Sequence, residues 1–127
     1  MSVKAFISKY FSNHSETSEK HKDPALETRY YKAKRDEVFK AVEELFPSPS
    51  EKVAVSKERG EITIKYKGKR KAFIVATIIM VKPFQTAVDF SVTTDSGGPI
   101  DLGFSHQLIQ ESYKKLDQQF VKYDPSN

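Results

Sequence analysis

Apolar residues recur at spacings of three and four in three segments of the chain, a rhythm typical of amphipathic helices. The first segment is residues 1–12, the second is residues 35–46 and the third is residues 105–121. Pro47 directly follows the second segment and ends it, because proline cannot continue a helix. The pattern therefore predicts three helices: one at the N-terminus, one early in the chain and one close to the C-terminus.

Elsewhere apolar and polar residues alternate, which is the period of a β-strand. Strands are predicted over residues 53–55, 62–66 and 86–94, each with one dry and one wet face, and over the short aromatic stretch 28–33. Residues 71–81 differ, because apolar side chains occupy both faces of this predicted strand. The short turns between consecutive strands favour an antiparallel meander.

Taken in the order α-β-α-β-β-β-β-α, these elements predict an α+β fold. Two helices cover one face of an antiparallel meander sheet, which makes a two-layer sandwich. We expect a single α+β domain over residues 28–123, preceded by the N-terminal amphipathic helix and a polar linker over residues 1–27, and followed by a frayed tail over residues 124–127. The 127 residues suffice for one domain with a core of its own.

The predicted strand over residues 71–81 carries the main functional signal. A sheet face in contact with water is not expected to present Ile74, Ile78 and Met80. If the two helices cover the opposite face, something else must cover these residues: the N-terminal helix or sheet curvature, a second copy of the chain, or an apolar ligand in a pocket. We therefore treat the three residues as a candidate ligand site or interface, with a homodimer or a protein partner as the consequence.

Composition narrows the class of protein. The chain has no cysteine, so disulfides and thiolate metal sites are excluded and an oxidising compartment is not required. No apolar run approaches the roughly 20 residues that span a bilayer, so no transmembrane segment is expected. Residues 1–13 lack the apolar run of a signal peptide. We expect a cytoplasmic protein.

Positive charge is concentrated between residues 52 and 71, where eight basic residues stand against two glutamates, although the net charge of the whole chain is only +4. Clustered lysines attract phosphates, and an aromatic ring among them can stack on a base. A solvated edge whose lysines discourage aggregation explains the same pattern, and we favour that interpretation. The candidate nucleic-acid contacts are Lys65, Tyr66, Lys67, Lys69, Arg70 and Lys71.

The sequence contains no arrangement typical of an active site. His14 and His21 match no metal-ligand spacing, and His106 is expected in a surface role at the start of the last helix. No serine–histidine–aspartate order, paired-carboxylate motif or nucleophile elbow can be assigned. We therefore expect a protein that is not an enzyme, and we assign no catalytic, cofactor-binding or metal-binding residue.

The C-terminal third resembles the bacterial domain-of-unknown-function family 1499. The resemblance rests on residues 88–90 (Val-Asp-Phe), then 101–103 (Asp-Leu-Gly) after a loop, and Ile109 in a terminal helix. In outline it extends over about residues 28–121. It implies the same α+β fold and a bacterial source but no activity, because the family has none established. The serine, asparagine and arginine pair of the family fall on Ile100, Ser105, Gln107 and Leu108.

These observations support a non-enzymatic, cytoplasmic binding or protein-interaction module that uses an apolar sheet face. The alternative is nucleic-acid binding through the basic hairpin, Lys65 to Lys71. The two hypotheses differ in what carries the affinity, which is apolar contact in the first and phosphate neutralisation in the second.

Overall fold

The computed structural model describes residues 14–18, 26–68, 70–94 and 103–124. The helix predicted over residues 1–12 lies outside the described residues. The elements in chain order are β1 (His14–Glu16), β2 (Arg29–Tyr31), α1 (Arg35–Glu43), β3 (Glu51–Ser56), β4 (Glu61–Lys67), β5 (Lys71–Lys82), β6 (Gln85–Thr94) and α2 (Phe104–Asp117).

Within the described ranges the strands form one six-stranded antiparallel sheet with the order β1-β6-β5-β4-β3. β2 also pairs with β6, so β1 and β2 share the outer edge of that strand. The predicted meander and the α+β class are therefore confirmed. The linker predicted within residues 1–27 is wrong in part, because His14–Glu16 pairs with Ser91–Thr93 and extends the sheet. A polar composition does not prevent this, since the backbone alone supplies the pairing.

One side of the sheet carries the core. The even-numbered residues of β5, from Ala72 to Ile78, are buried together with Ile62 and Ile64 of β4. Both helices contribute to the same cluster, α1 through residues such as Val38 and α2 through residues such as Ile109. Both helices therefore lie on the even-numbered side of β5, and the odd-numbered side faces away from them.

Residues at the ends of the two helices suit the local charge and backbone conformation. Asp36 and Glu37 lie in the first turn of α1, and Lys114 and Lys115 lie in the last turn of α2. Acidic side chains near a helix N-terminus and basic ones near a C-terminus complement the helix dipole. Gly103 stands at the N-cap of α2 with φ of 79°, a left-handed conformation that favours glycine.

A polar network fastens the end of α2 to β2. Asp117 accepts hydrogen bonds from Arg29 Nη1 at 2.5 Å and from the Tyr31 hydroxyl at 2.8 Å, and Lys122 Nζ lies 3.5 Å from the same carboxylate. Burial, aided by the hydrogen bond to Asp117, raises the pKa of Tyr31 above its ordinary value, so the phenol stays protonated and remains a donor. The Arg29 guanidinium also lies 4.8 Å from the ring centroid of Tyr113. The network therefore joins β2 to the last helix.

The strand at the far edge departs from the predicted pattern. β3 was expected to have one dry face carrying Val53 and Val55, but both side chains are exposed. β3 pairs with β4 on one side, and its register shifts between Lys52 and Ala54. An edge strand lies at the limit of the area that the helices cover, so alternation there does not imply burial.

Two isoleucines of β5 provide a matched test of this arrangement. Ile74 is fully buried, whereas the Ile79 side chain is 51% exposed on the other face. Ile74→Ala should lower the free energy of unfolding by roughly 2–5 kcal/mol, because it leaves a cavity under the helices. Ile79→Ala should change it by less than about 1 kcal/mol. Urea denaturation of both variants measures the difference, and equal losses would contradict the assignment of faces.

Candidate functional site

The face of the sheet opposite the helices carries three apolar side chains on its central strand. Phe73 and Ile79 point to this side and are 43% and 51% exposed, and Val75 and the polar Thr77 between them are half-buried. An antiparallel sheet usually presents polar side chains to water on such a face. The apolar row of Phe73, Val75 and Ile79 is therefore the candidate functional site, and we call it the open face.

The register of the neighbouring strands explains why the open face stays accessible. Phe73 lies between Lys65 of β4 and Thr93 of β6. Ile79 lies opposite Ala87, which has only a methyl group to offer as cover. Small and flexible neighbours flank the apolar row on both sides, so a partner can reach it without moving a bulky side chain.

A carboxylate on the same face holds the adjoining chain in place. Asp89 of β6 accepts hydrogen bonds from Thr17 Oγ1 at 2.6 Å and from Thr28 Oγ1 at 2.5 Å. Thr17 Oγ1 in turn accepts a hydrogen bond from the Phe90 backbone N–H at 2.9 Å. Asp89 is thus engaged in fastening the segments before β2 to the sheet.

The structure does not place the predicted apolar site residues, Ile74, Ile78 and Met80, together on an exposed sheet face. Ile74 and Ile78 have no exposed surface and belong to the core under the helices, so they are not an interface. Met80 is 55% exposed, but it lies on the helix side near the β5–β6 turn. The prediction assigned the helices to the wrong face of β5, because both faces are apolar and alternation alone cannot distinguish them.

The lysines of the basic hairpin lie at one end of the open face. Lys65 and Lys67 of β4 share that face with Lys71 of β5, and Lys67 stands directly opposite Lys71. Lys67 Nζ donates a hydrogen bond to Glu51 at 2.9 Å, and this bond lowers the pKa of the Glu51 carboxyl. Lys69 lies outside the described residues. The basic cluster therefore consists of three lysines, one of them paired.

Tyr66 does not join these lysines, contrary to the predicted nucleic-acid site. Its ring lies on the helix side, with centroids 6.1 Å from Phe46 and 6.2 Å from Phe104. The Arg70 guanidinium also lies over Phe104, at 5.9 Å from the ring centroid. Consecutive residues of a strand point to opposite faces, so a base stacked on Tyr66 would be on the wrong side of the sheet for Lys65.

A second exposed apolar group was missed by the sequence analysis. It surrounds the β5–β6 turn, where Phe84 is 61% exposed and Lys34 Nζ lies 5.4 Å from its ring centroid. An open cleft of about 340 Å³ separates Met80, Pro83 and Phe84 from the start of α1. The sequence pattern predicts a short turn between the strands over residues 71–81 and 86–94 but assigns no role to Phe84 within it.

The described residues offer no cluster of metal-binding side chains. Among them no three His, Asp or Glu side chains stand close enough together to hold a metal ion. His106, expected at the surface, is buried in the first turn of α2. The helices in the described part of the chain are too short and too polar to cross a membrane.

Comparison with known proteins adds one finding. No protein-family model and no curated protein matches the sequence. Among solved structures, the chain is similar to an HSP90 activator from Plasmodium falciparum, with a TM-score of 0.56 and 11% sequence identity. The similarity covers 88% of this chain and 100% of that chain. It shows the fold alone, and the resemblance to the domain-of-unknown-function family 1499 stays a prediction.

The opposed lysines give a testable consequence. Like charges directly opposite on one sheet face are destabilising, so Lys71→Glu, which places a carboxylate opposite Lys67, should raise the free energy of unfolding by roughly 0.2–1 kcal/mol. The gain should shrink as salt screens the pair. Urea denaturation at low and high salt measures it, with Lys71→Gln as the neutral control. A Lys71→Glu variant less stable than wild type at low salt would contradict the placement.

Proposed function

We propose that the chain is a non-enzymatic, cytoplasmic interaction module that binds a partner protein through the open face. The observation that supports this most directly is the exposure of Phe73 and Ile79 on a sheet face where polar residues are the rule. A few side chains that become fully buried at the centre of an interface supply most of its binding energy.

The surroundings of the open face define the chemistry of the partner. Lys65 flanks Phe73 directly, and Lys71 lies at the same end of the face. A partner with apolar side chains in the middle of its surface and carboxylates at one end would complement this arrangement. The apolar contacts supply affinity, whereas the charges at the rim act mainly on the rate and orientation of association.

The structural neighbour does not identify the partner. It is described as an HSP90 activator, and at 11% identity only its fold is carried over to this chain. We therefore propose the binding surface and the chemistry of its partner, and we do not propose HSP90 as that partner.

Nucleic-acid binding is the second candidate, and the three lysines at the end of the open face favour it. The placement of Tyr66 against Phe46 and Phe104 removes the aromatic stacking that the sequence suggested. Nucleic-acid binding would then depend on phosphate contacts alone. Its affinity should fall steeply with rising salt, and the double substitution Lys65→Gln/Lys71→Gln should lower it as well. Binding that instead depends on Phe73 and survives salt favours the protein partner.

Crosslinking followed by binding measurements tests the proposal. A benzophenone amino acid replaces Phe73 in one variant and Val55 in a control, because Val55 is 44% exposed and stands opposite the buried Ile62 on the helix side of the sheet. We expect a partner to be crosslinked from position 73 and not from position 55. The purified partner should then bind Phe73→Ser/Ile79→Ser at least about tenfold more weakly than wild type, which corresponds to about 1.4 kcal/mol.

Val55→Ser serves as the matched control on the helix side and should bind the purified partner like wild type. Both serine variants change exposed side chains, so circular dichroism should report an unchanged fold. The proposal fails if the purified partner binds the double variant as tightly as wild type, or if position 73 yields no crosslinked protein.

A further inference from the structure

The β5–β6 hairpin extends beyond β3 and β4, while β2 follows β6 as far as Thr86. The first residue of β4, Glu61, pairs with Thr77, and the Ile78 N–H donates to the Gly60 carbonyl at 2.7 Å. Residues 79–82 therefore extend past the β3–β4 turn and pair only with β6 among the described residues. We call residues 80–84 the hairpin tip.

The hairpin tip exposes apolar side chains on more than one side. Met80 lies opposite Thr86, whose hydroxyl donates to the Ala33 carbonyl on the helix side of the sheet. Val81, also exposed, stands at a shift of register between its two neighbours. Phe84 lies in the turn itself. Apolar surface thus continues from the helix side of the hairpin to its end.

The backbone at the tip is strained for the residue it carries. Phe84 has φ of 63°, and it is the one non-glycine residue in the described ranges with a positive φ. This position of a turn ordinarily holds glycine or asparagine, because a side chain crowds the backbone there. A large exposed aromatic residue whose backbone is kept in a strained conformation is an outlier of the kind that points to function.

Basic residues surround the tip. The Arg35 side chain donates to the Lys57 carbonyl, which brings the β3–β4 turn beside the start of α1. Within residues 32–37, 57–60 and 82, six basic residues stand against three acidic ones. The basic residues are Lys32, Lys34, Arg35, Lys57, Arg59 and Lys82, and the acidic ones are Asp36, Glu37 and Glu58.

We propose that the hairpin tip docks on the surface of an anionic lipid bilayer. Met80, Val81 and Phe84 would enter the boundary between headgroups and acyl chains, while the surrounding lysines and arginines contact the anionic headgroups. A protein partner would contact one side of the hairpin tip, whereas a bilayer interface surrounds a segment that inserts into it. The apolar side chains on the helix side and at the end of a projecting hairpin therefore fit the bilayer better. This site is separate from the open face and does not depend on the function proposed for it.

The absence of tryptophan from the chain allows a specific test. Phe84→Trp places a unique fluorophore at the tip, and Val53→Trp places one at an exposed control site on β3. Vesicles of equal parts phosphatidylcholine and phosphatidylglycerol should shift the emission of the first variant to shorter wavelength and leave the second unchanged. Vesicles of phosphatidylcholine alone should produce little shift in either, because the headgroup attraction is missing.

Sedimentation with the same anionic vesicles tests the residues one class at a time. Met80→Ser/Phe84→Ser should lose most of the binding, and Lys34→Gln/Lys82→Gln should weaken it roughly tenfold or more. Val53→Ser removes an equally exposed apolar side chain from β3 and should bind like wild type.

Three outcomes would overturn the proposal. The first is no shift of the Phe84→Trp emission on anionic vesicles, and the second is an equal shift for Val53→Trp. The third is vesicle binding that the double serine variant retains in full, which would assign the binding to another part of the chain. Unchanged thermal unfolding of the serine variant excludes misfolding as the cause of a loss.

Discussion

The fold depends on the register of β5 between its two neighbours. Ile74 stands opposite Ile64 of β4 and Val92 of β6, and all three are buried on the side of the helices. Ala72 and Ala76 alternate with the isoleucines, and these small side chains allow the two helices to pack closely on the sheet. A slip of one residue would turn this row outward, which is why a buried face specifies the register so strongly.

The exposed surfaces are consequences of the same register. With the even-numbered residues under the helices, Phe73 and Ile79 necessarily face the other way and form the open face. The length of β5 has a second consequence, because its last residues extend past β4 and leave Met80 exposed at the end of the sheet. One strand thus contributes the middle of the core and four of the eight large exposed apolar side chains in the described part of the chain.

The helices stay on their side of the sheet through polar links as well as apolar packing. Asp117 joins the end of α2 to both Arg29 and Tyr31 of β2. The Tyr113 hydroxyl donates to the Val88 carbonyl at 2.7 Å, and its burial raises the pKa of this phenol, so both tyrosines act as neutral donors. These bonds place the last helix over β6, and the side of the sheet away from the helices remains available for partners.

Periodicity predicted the α+β class, the meander and both described helices, because each rests on local spacing. It could not decide which face of β5 meets the helices, since Phe73 and Ile74 are equally apolar and the answer depends on pairing with distant strands. It also placed Tyr66 with the lysines, although strict alternation already separates neighbouring residues onto opposite faces. Phe84 was missed because the exposure of a turn residue depends on how far the hairpin projects.

Cysteine accessibility along β5 tests the assignment of faces most directly, because the chain has no cysteine of its own. Single cysteines at positions 73, 74, 76 and 79 would be treated with a maleimide under native conditions and again in urea. The account predicts fast native labelling at positions 73 and 79, with positions 74 and 76 protected until the protein unfolds. Labelling of position 74 as fast as that of position 73 in a folded protein would contradict it.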